Sequence, residues 1–520
     1  MGIIRAACTV GGFTLFSRLI GYVRECLMAS ILGANLYSDA LLVALRIANT
    51  FRRIFAEGAF NASFLPRFAK VLNVDGKDES NALLAHIFSF LLISLCFFSC
   101  IILYFFPAFL EILVSGFDVL SKKFELSVRL GRICFPYLIL ISLSSLFSGV
   151  LNTINRFALP AALYSFLSIC TSTTLVVGYY MDCSQYEMVH WISYSVLISG
   201  ILQTLWLLWS IKNYGFGVKF TFNCWNPRVK DIAKNMIPGI IGAGVWQLNM
   251  IIDMTMSSYL PTGTITCLNL AERLNQFPLG TFGIALSTAL LPMLSKLVAL
   301  KDYTQAQKEL ERGLIFTFLF TFLALTLMLS LNEIIVAVAF QRGLFGAEQA
   351  KITAEALKGL LAGLPAYVLS KVYSAAYFAQ GDTKTPVILA AVSLVANVIF
   401  LIVLVPFLKY FGLAVSASLA ACIYSGLLFI YTDQKLKFSI SREFVCKISA
   451  QIVASVASYF SLIWCARTFW TEDMITVWWK WGVLFLILCF GTIIFILVNV
   501  FGLKLMSRSD WKIWTRSAWD

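Results

Sequence analysis

GFTLFSRLIGYVRE at residues 12–25, inside the apolar run 5–31, and DALLVALRIANTFRRIFAEGAFNASFLPRFAK at residues 39–70 belong to segments long and apolar enough to cross a bilayer, yet they carry Arg18, Arg24, Arg46, Arg52 and Arg53. A centrally placed arginine costs about 2.5–3.5 kcal/mol on insertion scales, so four or five facing lipid would cost on the order of 10 kcal/mol. These arginines must therefore face a wet interior or counter-ions. The stretch reads as the wall of a cationic cavity, and the question becomes which anion it holds.

The rest of the 520-residue chain agrees with a membrane setting. It is 59% hydrophobic and only 13% charged, where soluble chains carry about 25% charged residues. Its apolar runs have helix length rather than the alternating ten-residue pattern of a barrel. The fold class expected is an all-α integral membrane protein. The net charge of +13 collects in alternate connections, which points to membrane topology and excludes a nucleic-acid partner. The 13 Cys are scattered through apolar segments, and Cys96 and Cys100 sit one turn apart inside a span, as packing residues do. His86 and His190 have no neighbours at ligand spacing, so no metal centre is expected. No GxxxxGK[ST] loop provides a nucleotide engine. The first apolar segment lacks a small-residue cleavage pattern and is expected to remain as a span.

Counting apolar runs of about 20 residues predicts about 14 spans: 5–31, 38–65, 83–106, 128–154, 159–181, 188–211, 232–259, 264–294, 312–338, 354–379, 385–407, 411–432, 446–468 and 478–504. Roughly twenty basic residues fall in one alternate set of connections plus the tail, and fewer than half as many in the other, which places both termini in the cytoplasm. The chain also repeats. Phe64-Leu65-Pro66 with Lys70 recurs 226 positions later as Leu290-Leu291-Pro292 with Lys296. Pro136-Tyr137 has its counterpart in Pro365 and Tyr367, and the segment up to Pro160 matches the one up to Pro386. Residues 1–222 and 223–440 are thus expected to be two six-helix lobes related as a parallel repeat, with a central cavity between them and two extra helices in 441–520.

On a helical wheel Asp39, Arg46, Arg53 and Glu57 fall within about 40° of one another over roughly 27 Å, with Asn49 beside them and Arg52 on the flank. The acids offer counter-ions for the empty state. The alternative is a set of buried salt bridges that fix helix packing, but the arginines outnumber the acids. Arg18 and Arg24 straddle Gly21, a helix-interior glycine that marks a bend or a close approach. Arginine suits an anion ligand because its guanidinium is planar, always charged and bidentate toward phosphate oxygens. In the eighth span Glu272 and Arg273 precede Pro278, Gly280 and Gly283, a proline kink followed by a small-residue row that can hinge. Asp253 and Asn397 are isolated polar groups, weak candidates for a cation site. Arginines without a nearby nucleophile–base pair favour binding over catalysis: a transporter, with no catalytic residues.

Ser17-Arg18-Leu19-Ile20-Gly21-Tyr22-Val23-Arg24, Ser38-Asp39-Ala40, Arg46-Ile47-Ala48-Asn49, Arg52-Arg53, Ala56-Glu57-Gly58-Ala59-Phe60, Glu272-Arg273 through Phe277-Pro278-Leu279-Gly280, and Gly381-Asp382-Thr383-Lys384-Thr385-Pro386 resemble the MurJ (MviN) lipid II flippases along essentially the whole chain. The resemblance implies a fourteen-helix member of the multidrug/oligosaccharidyl-lipid/polysaccharide exporter superfamily in the bacterial cytoplasmic membrane. It implies flipping of the undecaprenyl-diphosphate-linked peptidoglycan precursor, lipid II, with the peptidoglycan synthesis machinery and membrane lipids as partners. By position, Arg18, Arg24, Asp39, Arg52 and Arg273 match the family's functional residues. The family commonly carries Lys where Arg46 stands and Pro where Ala48 stands. Members with a sodium site have an acid one turn after the span-11 Asn. Here Leu401 follows Asn397, which argues against sodium coupling; a membrane potential negative inside would favour resetting a cationic empty cavity toward the cytoplasm, and no cofactor is expected. Two other readings stay open: an exporter of another undecaprenyl-linked glycan, and a membrane-embedded glycan polymerase, which should show a pair of catalytic acids in an extracytoplasmic loop.

Overall fold

Where they are described, the long apolar runs form helices, and polar residues between them act as caps. Asn35 accepts the Tyr37 and Ser38 amides on its side chain while Ser38 Oγ accepts the Asn35 amide, satisfying donors that a helix start leaves orphaned. Ser184 and Glu187 form the same reciprocal box further on, and Ser121, Asn226 and Ser441 cap three more helices.

The computed structural model describes residues 3–53, 59–222, 225–436, 441–470 and 480–506. Among these residues the regular elements are all helices, with no strand beyond an isolated bridge between Arg342 and Phe345. The first ten helices are α1 (Ile3–Leu32), α2 (Leu36–Arg52), α3 (Ala59–Val74), α4 (Lys77–Tyr104), α5 (Phe106–Leu113), α6 (Lys122–Cys134), α7 (Tyr137–Thr153), α8 (Ala158–Tyr180), α9 (Gln185–Asn213) and α10 (Pro227–Ser258). They are followed by α11 (Thr264–Pro278), a π-helical turn (Leu279–Gly283), α12 (Ile284–Ala299), α13 (Tyr303–Ser330), α14 (Asn332–Phe340), α15 (Ala347–Ala362), α16 (Leu364–Ala379), α17 (Lys384–Leu436), α18 (Arg442–Phe469) and α19 (Lys480–Met506). Nine helices among the described residues are long and apolar enough to cross a membrane, or ten when α15 and α16, bent by 43°, are taken as one span.

Several expected spans are built from two pieces. The fourth is α6 and α7, parted at Phe135-Pro136, because proline brings no N–H to the helical ladder. The ninth is α13 followed by short α14. The eleventh and twelfth run together as α17, whose 49-residue apolar part would be about 74 Å long if straight, more than twice a hydrocarbon core of about 30 Å. Lys409, at φ 50° and ψ −127°, breaks it. The second expected span crosses residues 54–58, which lie outside the described residues.

Packing divides the chain into two units: Met1–Thr266 with Arg342–Phe345, and Cys267–Gln341 with Gly346–Asp520. The first unit thus includes α10, which the sequence repeat assigns to the second copy. A repeat is a relation of sequence and a packing unit one of contact, and their boundaries need not coincide. Within the first unit α1 lies along α8 and α2 along α6. One core gathers Phe64, Phe68, Leu146 and Phe147, and another Val43, Phe106, Phe135 and Leu138. In the second unit Leu290, Leu310, Tyr373 and Leu428 form one cluster, and Leu331, Leu462 and Ile487 another.

The four-residue segment Arg342–Phe345 docks on the end of α1. The Leu344 amide donates to the Ser30 carbonyl at 2.8 Å, one of the last carbonyls of a helix that its own ladder leaves unpaired. Gly343, at φ 56°, makes the approach possible, since a Cβ there would collide with that carbonyl oxygen.

Candidate functional site

The cap at Asn35 places Asp39 in the first turn of α2, where the helix dipole favours an anion. Asp39 is 0% exposed. Its Oδ2 accepts from Lys123 Nζ at 2.8 Å and from the Gly263 amide at 2.7 Å. Its Oδ1 accepts from the Thr266 amide at 3.0 Å and Thr266 Oγ1 at 2.7 Å. Four donors saturate a carboxylate, and a buried charge is tolerated when it is paired and hydrogen-bonded in this way. Lys123 also lies 4.2 Å from the centre of the Phe117 ring. Asp39 therefore ties the α10–α11 turn to α2 and α6. Its counter-ion is Lys123, not an arginine of its own helix.

The arginines of α1 and α2 are arranged differently. Arg18 is exposed. Arg24 pairs with its neighbour Glu25 at 2.5 Å, and its buried Nε finds no hydrogen-bond partner among the described residues. Gly21 faces Ser168 of α8, where a Cβ would meet the hydroxyl at 3.7 Å, an ordinary contact. Arg46, Asn49, Arg52 and Arg53 are all half-buried. Asn49 accepts from Arg52 Nε at 3.2 Å, and Arg53 Nη1 reaches the Met250 sulfur of α10 at 3.5 Å. Asp253 is half-buried on the same helix. Glu57 lies outside the described residues.

In the second unit Arg273 is exposed and Glu272 half-buried on α11. Pro278 closes that helix, and Gly280 and Gly283 lie in the π-helical turn that follows. Thr281 Oγ1 donates to the Phe277 carbonyl at 2.8 Å, supplying one bond where the ladder changes register. Asn397 is fully buried in α17, in the other unit from Asp253. No group of three or more His, Cys, Asp or Glu side chains suited to a metal ion occurs among the described residues.

Sequence reasoning missed three features. Lys123, Gly263 and Thr266 meet Asp39 only through tertiary packing, and nothing in their local sequence announces it. Arg342 brings a further cation beside Tyr22 and Cys26 of α1, from a connection that reads as an ordinary loop. Lys371 is half-buried in α16. It had a legible signal, since a lone lysine in an apolar run obeys the same argument as the arginines.

The sequence and the fold have known counterparts. A family model described as lipid II flippase MurJ matches residues 28–489. The probable lipid II flippase MurJ of Rickettsia prowazekii (strain Madrid E) is 33% identical over 470 residues, covering 88% of this chain and 91% of its own. The lipid II flippase MurJ of Burkholderia cenocepacia (strain J2315) is 33% identical over 481 residues, covering 91% and 92%. Among solved structures, a lipid II flippase MurJ in an inward closed conformation aligns with a TM-score of 0.80 at 23% identity, over 96% of this chain and 99% of that one. An inward-facing multidrug transporter of the MATE family and MOP superfamily aligns at 0.68 with 13% identity, over 83% and 98%, so the helical fold is shared more widely than the sequence. On the family match and these relatives, the chain belongs to the lipid II flippase MurJ family.

Proposed function

We propose that this chain is a transporter that moves lipid II from the inner to the outer leaflet of a bacterial cytoplasmic membrane by alternating access. The observation that carries the reading is the family match over residues 28–489, which takes in Asp39, Arg46, Asn49, Arg52, Arg53 and Arg273. Arg18 and Arg24 precede the matched segment and rest on the residue-by-residue resemblance of the N-terminal block.

In this reading fourteen spans cross the membrane with both termini cytoplasmic, as two six-helix lobes over residues 1–222 and 223–440 and a final pair in 441–520. Arg18, Arg24, Arg52 and Arg273 hold the diphosphate in a central cationic cavity, with Arg46, Asn49, Arg53, Glu57 and Glu272 lining it. Guanidinium forks match a diphosphate in charge and geometry. Gly21, Pro278, Gly280 and Gly283 supply the bends. Asp39 acts as a latch: its four accepted hydrogen bonds hold the α10–α11 turn in the state described and must be given up for the turn to move. A potential negative inside returns the cationic empty cavity toward the cytoplasm.

The test is depletion of the protein in its bacterial host, followed by leaflet-resolved measurement of lipid II. The expected result is accumulation in the inner leaflet, restored to normal by the wild type and not by Arg18→Ala or Arg273→Ala at equal abundance. Lipid II reaching the outer leaflet at the normal rate without the protein overturns the reading.

A further inference from the structure

The chain between α4 and α6 presents apolar side chains in a way that neither the core nor the transport reading uses. Along α4, Ile93, Phe97 and Ile101 are exposed at four-residue spacing, the lipid-facing stripe of a span. The stripe reaches the helix end at Tyr104 and Phe105, both exposed, and further exposed apolar side chains follow at Ile112 (75%), Val119 and Leu120, the last at 94%. The opposite face of α5 is occupied, with Phe106, Leu110 and Leu113 buried in the core. Glu111, Asp118 and Lys122 are exposed around the patch.

Length fixes where this patch lies. The first turn of α4 is polar, with Lys77, Asp78 and Glu79. About twenty residues at 1.5 Å each fill a hydrocarbon core, which carries the apolar part of α4 from Ala82 to about Ile101. Tyr104 and Phe105 then fall at the boundary, where aromatic residues concentrate. The same segment grips the last turn of α10. Thr255 Oγ1 donates to the Leu113 carbonyl at 2.8 Å, the Gly116 amide donates to Ser258 Oγ at 2.9 Å, and Ser115 and Tyr259 share a hydroxyl hydrogen bond at 3.0 Å. Gly116 lies so close to the Ser258–Tyr259 backbone that a Cβ would collide with it.

We propose that residues 104–120 form an interfacial anchor: their exposed face lies in the headgroup–acyl boundary of the membrane, and through Leu113, Ser115 and Gly116 they fix the end of α10 to that plane. The occupant of the patch is lipid, because its exposed apolar residues start at Tyr104 and Phe105, where the lipid-facing stripe of α4 ends. The inference is independent of the cargo.

A fluorescent non-canonical amino acid at Ile112 or Leu120 tests it in the full-length protein, reconstituted in phosphatidylcholine vesicles and read without interference from native Trp or Cys. A nitroxide on a shallow acyl carbon should quench both probes roughly twofold more than one at the bilayer centre, and more than aqueous iodide, since interfacial segments sit about 5–10 Å deep. Dominant iodide quenching, or protection from iodide and lipid nitroxides alike, overturns the proposal: the first means water, the second a protein partner. Gly116→Ala drives a methyl into the α10 backbone and should speed hydrogen exchange over residues 255–259 while leaving lipid quenching at Leu120 intact. Unchanged exchange there removes the tie to α10.

Discussion

Asp39 illustrates how much one side chain can hold in place. Deleting one partner of a buried ion pair strands the other charge, at about 3–5 kcal/mol, whereas removing both together costs far less. Asp39→Ala and Lys123→Ala should therefore each lower the unfolding midpoint of the detergent-solubilised protein strongly, and the pair Asp39→Asn with Lys123→Met should recover much of the loss. If the singles unfold like wild type, the Lys123–Asp39 contact at 2.8 Å is not the anchor that its burial implies. That an acid in an apolar run matters was legible from the sequence alone. Its partner was not, because Lys123 stands 84 positions away and reaches Asp39 only through the packing of α2 on α6. The two neighbours Arg24 and Glu25 teach the reverse lesson: a wheel puts them on different faces, yet long side chains meet across that angle.

Helices were the easiest feature to read and their breaks the hardest. Runs of apolar residues located the helices long enough to span, nine or ten among the described residues, because a bilayer core demands about 20 residues and a closed hydrogen-bond ladder. The breaks depend on single residues. Pro278 was legible as a kink, and a π-helical turn follows it. Lys409 was not, since nothing in its side chain asks for φ 50°. Such a backbone costs a non-glycine residue about 1–3 kcal/mol, so Lys409→Gly should raise the thermal midpoint. A lowered midpoint would mean that the lysine side chain earns its strain through contacts. Gly21 separates stability from motion. A Cβ fits there and alanine favours helix by up to about 1 kcal/mol, so Gly21→Ala should leave the protein at least as stable. If the glycine is a hinge, lipid II flipping should nonetheless slow, and unaltered flipping would mean that α1 bends elsewhere or not at all.

At the scale of the whole molecule the composition alone indicates a membrane helical bundle, and the arginines indicate an anionic cargo, but the energy source has to be argued from charge. Moving one elementary charge through the field is worth about 2.3 kcal/mol per 100 mV, so the cationic empty cavity of the proposed transport cycle should feel the potential directly. In proteoliposomes, collapsing the potential with a potassium ionophore should slow lipid II translocation, while replacing sodium with choline should not. Dependence on sodium instead would place a cation site where Leu401 argues against one. Connectivity carries a last consequence. Because Arg342–Phe345 belongs to the packing unit of residues 1–266, that unit is not a continuous piece of polypeptide. A fragment ending at Thr266 would leave the Ser30 carbonyl without its Leu344 donor and Gly33 without the Leu344 backbone that packs against it. Two coexpressed halves divided at that point should complement one another only when the second half contributes this four-residue peptide, so the molecule is modular in space but not along the gene.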